Sequence, residues 1–205
     1  MIATLLLIAA SFQTSFPQAT VVEVAPGGQL LKASGFAAKG LGTTPQAAAA
    51  AFLKTYGSAF GVTDKQKIVA RGAKGKLLRF ERMLGPDPIF EADLLVGMKG
   101  NDVVSVETDP VPAQAEGSWD LSKADAEQAA FAANPEPSHP PHARSLKGWK
   151  SDGTALRPAW RVDLYAGEPV SDWRTYLDAH DAHIMLRYDL KAGQKKKSSK
   201  PDLAL

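Results

Sequence analysis

Two stretches near the end of the chain decide the fold: AWRVDL at Ala159–Leu164 and WRTYLDAHDAHIMLRYDL at Trp173–Leu190. Residue types alternate along both stretches, with Trp160, Val162 and Leu164 on one face of the first. Alternation of this kind is typical of strands that bury one face. The C-terminal part of the chain therefore predicts three antiparallel strands.

A helix is predicted ahead of these strands. Ser122 can cap it, Asp125 follows three residues later, and an alanine-rich run continues to about Ala133 before Asn134-Pro135 ends it. The segment from Glu136 to Pro158 contains four prolines and no apolar period. We expect a long loop there.

The first half of the chain predicts a second helix followed by a second set of strands. Thr43 or Thr44 can cap a helix with Pro45 in its first turn, and Gly61 ends a run whose apolar residues recur every four positions. Alternating segments and turns then predict strands at Leu78–Met83, Ile89–Met98 and Val103–Glu107. The expected fold class is α+β, built as two small modules.

The first nineteen residues, MIATLLLIAASFQTSFPQA, contain no charge and carry an apolar run from Ile2 to Ala10. They predict a secretory signal that is cleaved after Ala19, although a basic start is missing and Pro17 stands where a small residue is usual. A trimmed N-terminal strand or a misplaced start codon is the alternative. We expect a secreted, periplasmic or cell-envelope location, and the run is too short to span a bilayer.

Composition removes several classes of function. The 24 basic and 22 acidic side chains nearly balance, and five of the lysines fall in residues 191–205, which predict a flexible tail. The remaining chain is slightly acidic and does not indicate a nucleic-acid-binding surface. The absence of cysteine excludes disulfides, thiolate zinc sites and cysteine nucleophiles.

Motifs for catalysis are missing as well. The sequence has no H-E-x-x-H zinc motif, no G-x-S-x-G elbow and no P-loop spacing. His180 and His183, with Asp178 and Asp181, form the best candidate for a metal site, but side chains three apart on an extended segment point to opposite faces. We interpret them as a polar hairpin tip and expect no catalytic activity, no cofactor and no metal.

The order of these segments resembles a known pair of modules. FLKTYGSAFGV followed by LLRFERMLGPDPIFEADLLVGMKGNDVVSVETDPVP is similar to the fungalysin/thermolysin propeptide (FTP) module, and LSKADAEQAA with AWRVDL and RTYLDAH resembles the PepSY module. The resemblance implies a cystatin-like or PepSY-like arrangement, a helix packed on an antiparallel sheet, at residues 20–112 and 119–190 with a linker at 113–118. Two departures stand out: Glu81-Arg82 replaces the usual glutamine, and Asp181-Ala182-His183 replaces a glycine-containing turn.

Pro-regions with these modules assist the folding of thermolysin- and fungalysin-type zinc proteases and block their clefts. The resemblance therefore implies a non-catalytic folding assistant and inhibitor, an intramolecular chaperone type of protein that regulates proteolysis. The alternatives are an envelope PepSY-like regulatory module with another target, or an inactive truncated protease precursor. Strand residues of the types favoured at recognition surfaces are the expected partner contacts: Phe80, Arg82, Arg161, Trp173, Arg174, Tyr176 and Asp178.

Overall fold

The computed structural model describes residues 12–134, 142–165 and 172–191. It divides into two compact units, Met1–Ala115 with Gly153–Leu156, and Glu116–Asp152 with Arg157–Leu205. Each unit combines a helix with an antiparallel sheet, which confirms the predicted α+β class. The apolar run at residues 2–10, the turn at 167–169 and the tail after residue 191 lie outside the described residues.

The first unit contains a seven-stranded sheet with the order β1-β2-β7-β6-β4-β3, and β5 pairs with β4. Neighbouring strands in it pair antiparallel throughout the described residues. Its strands are β1 Thr20–Val24, β2 Leu30–Ala38, β3 Gln66–Lys74, β4 Leu77–Leu84, β5 Asp87–Pro88, β6 Leu94–Lys99 and β7 Asp102–Thr108.

Helix α1, Pro45–Tyr56, covers one face of this sheet and continues as a 3₁₀ turn at Gly57–Phe60. Thr44 is the N-cap, because its hydroxyl accepts the Ala47 N–H at 3.2 Å. Gly61 follows the 3₁₀ turn with φ +75°, a left-handed conformation that glycine adopts without strain. The predicted start and end of this helix are confirmed.

The segment predicted as one strand from Ile89 to Met98 is divided, so that prediction was wrong in its first half. Glu91 adopts φ +53°, which interrupts an extended chain, and β6 begins only at Leu94. The apolar residues Phe90 and Ala92 are nevertheless buried. Their apolar character reflects loop packing rather than strand alternation.

The core of the first unit lies between α1 and the sheet. It is rich in aromatic rings, and Phe36 and Phe52 stack with centroids 5.7 Å apart. Phe12 and Phe16, from the segment predicted to be removed with the signal, belong to the same core and are 1% and 8% exposed. Cleavage after Ala19 stays a prediction, but it would remove two core side chains.

The second unit contains a four-stranded sheet with the order β11-β10-β9-β8. Its strands are β8 His142–Ser151, β9 Leu156–Tyr165, β10 Trp173–Asp178 and β11 Ile184–Asp189. The three predicted strands are present. The prediction of a loop across residues 136–158 was wrong, because β8 lies within it.

The sequence shows no apolar alternation along β8, because the β8 side chains that face helix α2, Lys123–Ala132, are mostly small or polar. Ala143 packs against the core beneath α2, and the Ser145 hydroxyl donates to Glu127 Oε1 at 2.5 Å. Lys147 places its ammonium 4.0 Å from the ring centroid of Trp119. Each of these side chains has a partner that a residue-by-residue hydropathy pattern cannot show.

Helix α2 begins as predicted. Ser122 accepts the Asp125 N–H at 3.2 Å and donates its hydroxyl proton to the Asp125 carboxylate at 2.6 Å. Buried faces of α2 and the sheet meet in a small core that includes Ala126, Ala130 and Val162. In the β10–β11 turn Ala182 takes φ +62°, so the left-handed turn forms although glycine is missing there.

Candidate functional site

The residues that sequence reasoning assigned to partner contact fall mainly on the second unit. Strand register places Arg174 opposite Asp163 and Tyr188, and Tyr176 opposite Arg161. Directly opposed residues share one face of a sheet. These five side chains form what we term the arginine–tyrosine face, on the side of the sheet away from α2.

A bidentate ion pair organises the arginine–tyrosine face. Arg174 donates from Nε to Asp163 Oδ1 at 2.6 Å and from Nη2 to Oδ2 at 2.8 Å, and its Nη1 lies 3.3 Å from the Tyr188 hydroxyl. Arg161 Nε lies 3.6 Å from Asp163 Oδ2. Two guanidinium groups thus share one carboxylate that is 1% exposed. Planar guanidinium groups in this geometry recognise carboxylates and hold them at fixed angles.

The hydrogen bond to Asp163 raises the pKa of Arg174 above its ordinary value. Arginine is protonated throughout the physiological range, so this group cannot serve as a general acid or base. The Arg174 guanidinium can therefore supply binding and positioning rather than proton transfer.

The structure brings together three of the predicted contact residues, Arg161, Arg174 and Tyr176, although Tyr176 is only 1% exposed. Trp173 lies on the opposite face, half-buried, with the Arg187 guanidinium 5.2 Å from its ring centroid. Asp163 was missed. The alternation in AWRVDL was the available signal, because it places Arg161 and Asp163 on the same face. The pairing of Asp163 with Arg174 on the neighbouring strand depends on strand register, which the alternation does not give.

Phe80 and Arg82, also predicted as partner contacts, lie inside the first unit and are 2% and 0% exposed. In this conformation neither side chain offers surface to a partner. Arg82 donates to Phe60 O at 2.7 Å, to Gly61 O at 3.2 Å and to Thr108 Oγ1 at 2.7 Å. It therefore binds the carbonyls at the C-terminal end of the 3₁₀ turn, where the helix dipole favours a cation.

A second buried polar side chain, Gln29, completes this arrangement. Gln29 donates from Nε2 to Phe60 O at 3.0 Å and accepts the Val111 N–H at 3.2 Å. Burial lowers the pKa of Arg82 to about 10, with nearby Asp109 opposing the effect, and the group stays charged at neutral pH. Gln29 and Arg82 thus connect the end of the 3₁₀ turn, strand β4 and the chain after β7, which is a structural role.

The tip of the β10–β11 hairpin holds the histidines that were considered for a metal site. Asp178, Asp181 and His183 bring one potential ligand atom each to within 4.8 Å of one another. His180 turns away from this group and contacts Asp120. The Asp178 and Asp181 carboxylates already accept the backbone N–H groups of His180 and His183 at 2.8 and 3.0 Å. These hydrogen bonds explain why the carboxylates lie close together: they stabilise a polar turn.

The outer face of the first sheet carries a concavity of about 340 Å³. Lys32 and Glu107 form an ion pair of 3.2 Å at this concavity. The remaining lining is mostly acidic or apolar: Glu23, Leu31, Asp93, Leu95, Thr108, Asp109 and Pro110. Its acidic character disfavours anionic ligands.

No helix in the described parts of the chain is long and apolar enough to cross a membrane. No protein family model matches the sequence, and no curated protein matches it. Among solved structures, the chain is similar to the Bacillus megaterium YpeB C-terminal domain, with 13% sequence identity and a TM-score of 0.40 over 93% of this chain and 97% of that one. A similarity of this size carries no argument about function.

Proposed function

We propose that the protein is an exported, non-catalytic binding module that regulates a partner, and that this partner is a secreted zinc metalloprotease of the thermolysin or fungalysin type. The observation that carries the proposal is the order of elements. A helix precedes the main antiparallel strands in each unit, α1 before β3–β7 and α2 before β8–β11. This is the order expected from the resemblance to protease pro-regions.

The physical basis of such regulation is linkage. A module that binds the native protease but not its unfolded chain stabilises the protease by about 2.7 kcal/mol when its concentration is 100 times the Kd. Contacts that cover the substrate cleft also exclude substrate. A single binding event thus accounts for both assistance in folding and inhibition, and needs no reactive group on the module.

The partly exposed residues of the second unit are the proposed contacts. Trp173, backed by Arg187, and Arg161 are arginine and aromatic side chains of the kind that dominate binding energies at protein interfaces. Asp178, at the end of the strand that begins with Trp173, is also partly exposed. Arg161 lies on the arginine–tyrosine face, where Arg174 and Tyr176 hold the strand register, whereas Trp173 lies on the opposite face, so the proposed contacts occupy both faces of this sheet.

The test uses the full-length protein with purified thermolysin and a fungalysin-type protease. We expect a stoichiometric complex on size-exclusion chromatography, slower hydrolysis of a peptide substrate and a higher refolding yield of denatured protease. Trp173→Ala and Arg161→Ala should each weaken inhibition by about tenfold or more, the value that corresponds to about 1.4 kcal/mol.

Arg71→Ala is the matched control, because Arg71 is a strand arginine paired with Glu81 on the first unit and its removal should leave inhibition unchanged. The metalloprotease proposal would be contradicted if neither protease type formed a complex, was inhibited or refolded in higher yield. Capture of a different envelope protein from the secreted or envelope fraction would then favour the alternative, an envelope regulatory module whose target is not a protease.

A further inference from the structure

One edge of the first sheet is formed by a long strand with a single neighbour. Strand β3, Gln66–Lys74, ends the strand order, and within the described residues it pairs only with β4. A strand at the edge of a sheet leaves the N–H and C=O groups that point away from the sheet without a ladder partner. An extended peptide can bind to such groups and add to the sheet as a further strand.

Strand register shows which backbone groups of β3 point away from the sheet. In an antiparallel sheet, alternate residues of a strand hydrogen-bond to one neighbouring strand and the residues between them to the other. The Met98 N–H donates to Lys76 O at 2.8 Å, which directs Lys76 and every second residue after it toward β6. Glu81 therefore bonds to β3, where its partner is Val69. The neighbours of Val69 direct their N–H and C=O groups away from β4.

These neighbours are Ile68 and Ala70. Outside the ladder with β4, no described residue accepts a hydrogen bond from either N–H. Gln66 follows the same alternation, since its N–H donates to Thr63 O at 3.0 Å. Ala70 is exposed, and Ile68 is half-buried with its side chain against the core of the unit. The outer edge of β3 therefore presents donors and acceptors at the spacing of a β-ladder.

A β-bulge limits the length of this edge. The register of β3 against β4 shifts between Ala70 and Gly72, so Arg71 is an extra residue and the regular part of the edge is Gln66–Ala70. We call this part the free edge of β3. Bulges and lysines on an edge prevent it from pairing with unrelated strands. An added strand must therefore be short and must complement the charge of the edge.

The charge on this part of the chain is strongly basic. In residues 64–76, five of the six charged side chains are lysine or arginine. Lys67 and Lys74 are exposed and have no ion-pair partner within the described residues, whereas Arg71 pairs with Glu81. Opposite charges on adjacent strands stabilise a sheet and like charges destabilise it. The free edge of β3 therefore favours an acidic strand, and it disfavours the same edge of a second copy.

We propose that the free edge of β3 binds an extended acidic segment of a partner protein, which adds to the sheet as a further strand. Ile68 and Ala70 donate their N–H groups to carbonyls of this segment and accept N–H groups in return. Side chains alternate between the two faces of a strand, so carboxylates of the segment lie beside Lys67 and apolar side chains beside Ile68. The inference uses the first unit alone and does not require that the partner be a protease.

The first experiment measures binding of labelled peptides to the full-length protein by fluorescence anisotropy. The probe is a peptide of alternating glutamate and valine. One control peptide replaces every glutamate with lysine, and the other replaces a central valine with proline, which keeps the charge but removes a strand N–H. The probe should bind saturably, with an affinity about tenfold or more above that of either control. No binding of the probe, or equal binding of the proline peptide, would overturn the proposal.

Variants of the protein test whether binding occurs at this edge. Lys67→Glu should weaken binding of the probe by about fivefold or more, because an attractive cross-strand pair becomes repulsive. Lys39→Glu is the matched control, since Lys39 is exposed and follows β2, which β7, β6 and β4 separate from β3. Ala70→Pro removes an N–H that does not bond to β4, so binding should weaken by about tenfold or more at an unchanged thermal midpoint. Equal effects of the two lysine substitutions, or unchanged binding in Ala70→Pro, would contradict the proposal.

Amide hydrogen exchange of the wild-type protein gives a readout that does not depend on the folding of a variant. Without peptide, the amides of Ile68 and Ala70 should exchange faster than those of Lys67 and Val69, which bond to β4. Saturating probe should slow exchange at Ile68 and Ala70 by about tenfold or more. Unchanged exchange at both amides would rule out strand addition. Because no protease enters these measurements, failure of the metalloprotease proposal is a separate result.

Discussion

Replacing Arg82 with methionine tests the strongest structural inference about the predicted contact residues. Arg82 is fully buried and donates three hydrogen bonds, to the carbonyls of Phe60 and Gly61 and to the Thr108 hydroxyl. Its Nε has no hydrogen-bond partner among the described residues. Methionine is similar in length and apolar, so Arg82→Met removes the donors and leaves most of the volume filled.

The expected loss follows from two opposing contributions. Hydrogen bonds from a charged donor are each worth about 1.5 to 3 kcal/mol net, so three bonds at the lower end amount to about 5 kcal/mol. Phe60 O keeps its bond from Gln29, which moderates the loss. Burial of the methionine side chain returns about 1.5 to 3 kcal/mol. The free energy of unfolding should therefore fall by about 2 to 3 kcal/mol.

The assay is urea unfolding followed by far-UV circular dichroism. All four tryptophans, Trp119, Trp149, Trp160 and Trp173, belong to the second unit, so tryptophan fluorescence follows that unit separately. The circular dichroism midpoint should shift by about 1 M urea in Arg82→Met.

The matched control is Arg79→Met on the same strand. The Arg79 side chain is 59% exposed and pairs with Asp93, and exposed pairs contribute about 0 to 1 kcal/mol. An Arg82→Met protein as stable as wild type would refute the structural assignment of Arg82. If such a protein also lost partner binding, the original prediction of a contact residue would be supported instead.

Three further predictions follow from local geometry. Gly61→Ala should lower the free energy of unfolding by about 2 to 4 kcal/mol, because φ is +75° and the new Cβ would lie 2.4 Å from a buried glutamine amide. Phe12→Ala should cost about 3 to 5 kcal/mol, as expected for a buried ring. Asp120→Asn should lower the pKa of His180, because the hydrogen bond from the imidazole to Asp120 raises that pKa above its ordinary value.

Each of these predictions has an outcome that would contradict it. Gly100→Ala has the same kind of positive φ, +63°, but no atom within 4 Å of the added Cβ, so it isolates the backbone cost from the clash; equal losses at Gly61 and Gly100 would contradict the reasoning. An unchanged midpoint in urea would contradict the role of Phe12. The His180 pKa is read from the NMR titration of its imidazole Cε1–H resonance, assigned with His180→Gln, and an unchanged value in Asp120→Asn would rule out the pair.

The sign of the pH effect at this pair is fixed by the direction of the shifts. His180 has a raised pKa, so the stabilising contribution is present below its ordinary pKa and is lost as the pH rises through the raised value. Asp120 has a lowered pKa, mainly through its bond from Ser118, so its contribution is lost as the pH falls through that lowered value. The contact between the chain before α2 and the hairpin tip should therefore be strongest at pH values between the lowered pKa of Asp120 and the raised pKa of His180.

Local signals in the sequence were sufficient for the helices, their caps and most strands. Thr44 and Ser122 act through backbone groups three residues away, so their role can be read without knowing the fold. The two-residue turn between β6 and β7 is similarly local, with Gly100 at φ +63°. Strand β8 was missed because its inward side chains find partners on α2 and on Trp119 that are distant in the chain.

The candidate site was accessible to sequence reasoning only in part. Alternation identified Arg161, Arg174 and Tyr176 as strand residues, and the structure places Tyr176 and Trp173 on opposite faces of the sheet. It could not supply the register that brings Arg174 to Asp163, because register depends on pairing between segments separated by a turn.

By itself the sequence determined where helices begin and end and which strand faces are apolar, because capping, glycine conformations and side-chain periodicity act over a few residues. Only the tertiary structure decided that Arg82 is a buried hydrogen-bond donor to carbonyls at the end of the 3₁₀ turn, that residues 12–19 belong to the core of the first unit, and that Asp163 contacts two arginines. Those outcomes depend on contacts between distant segments, whose burial and hydrogen bonding exist only once the chain has packed.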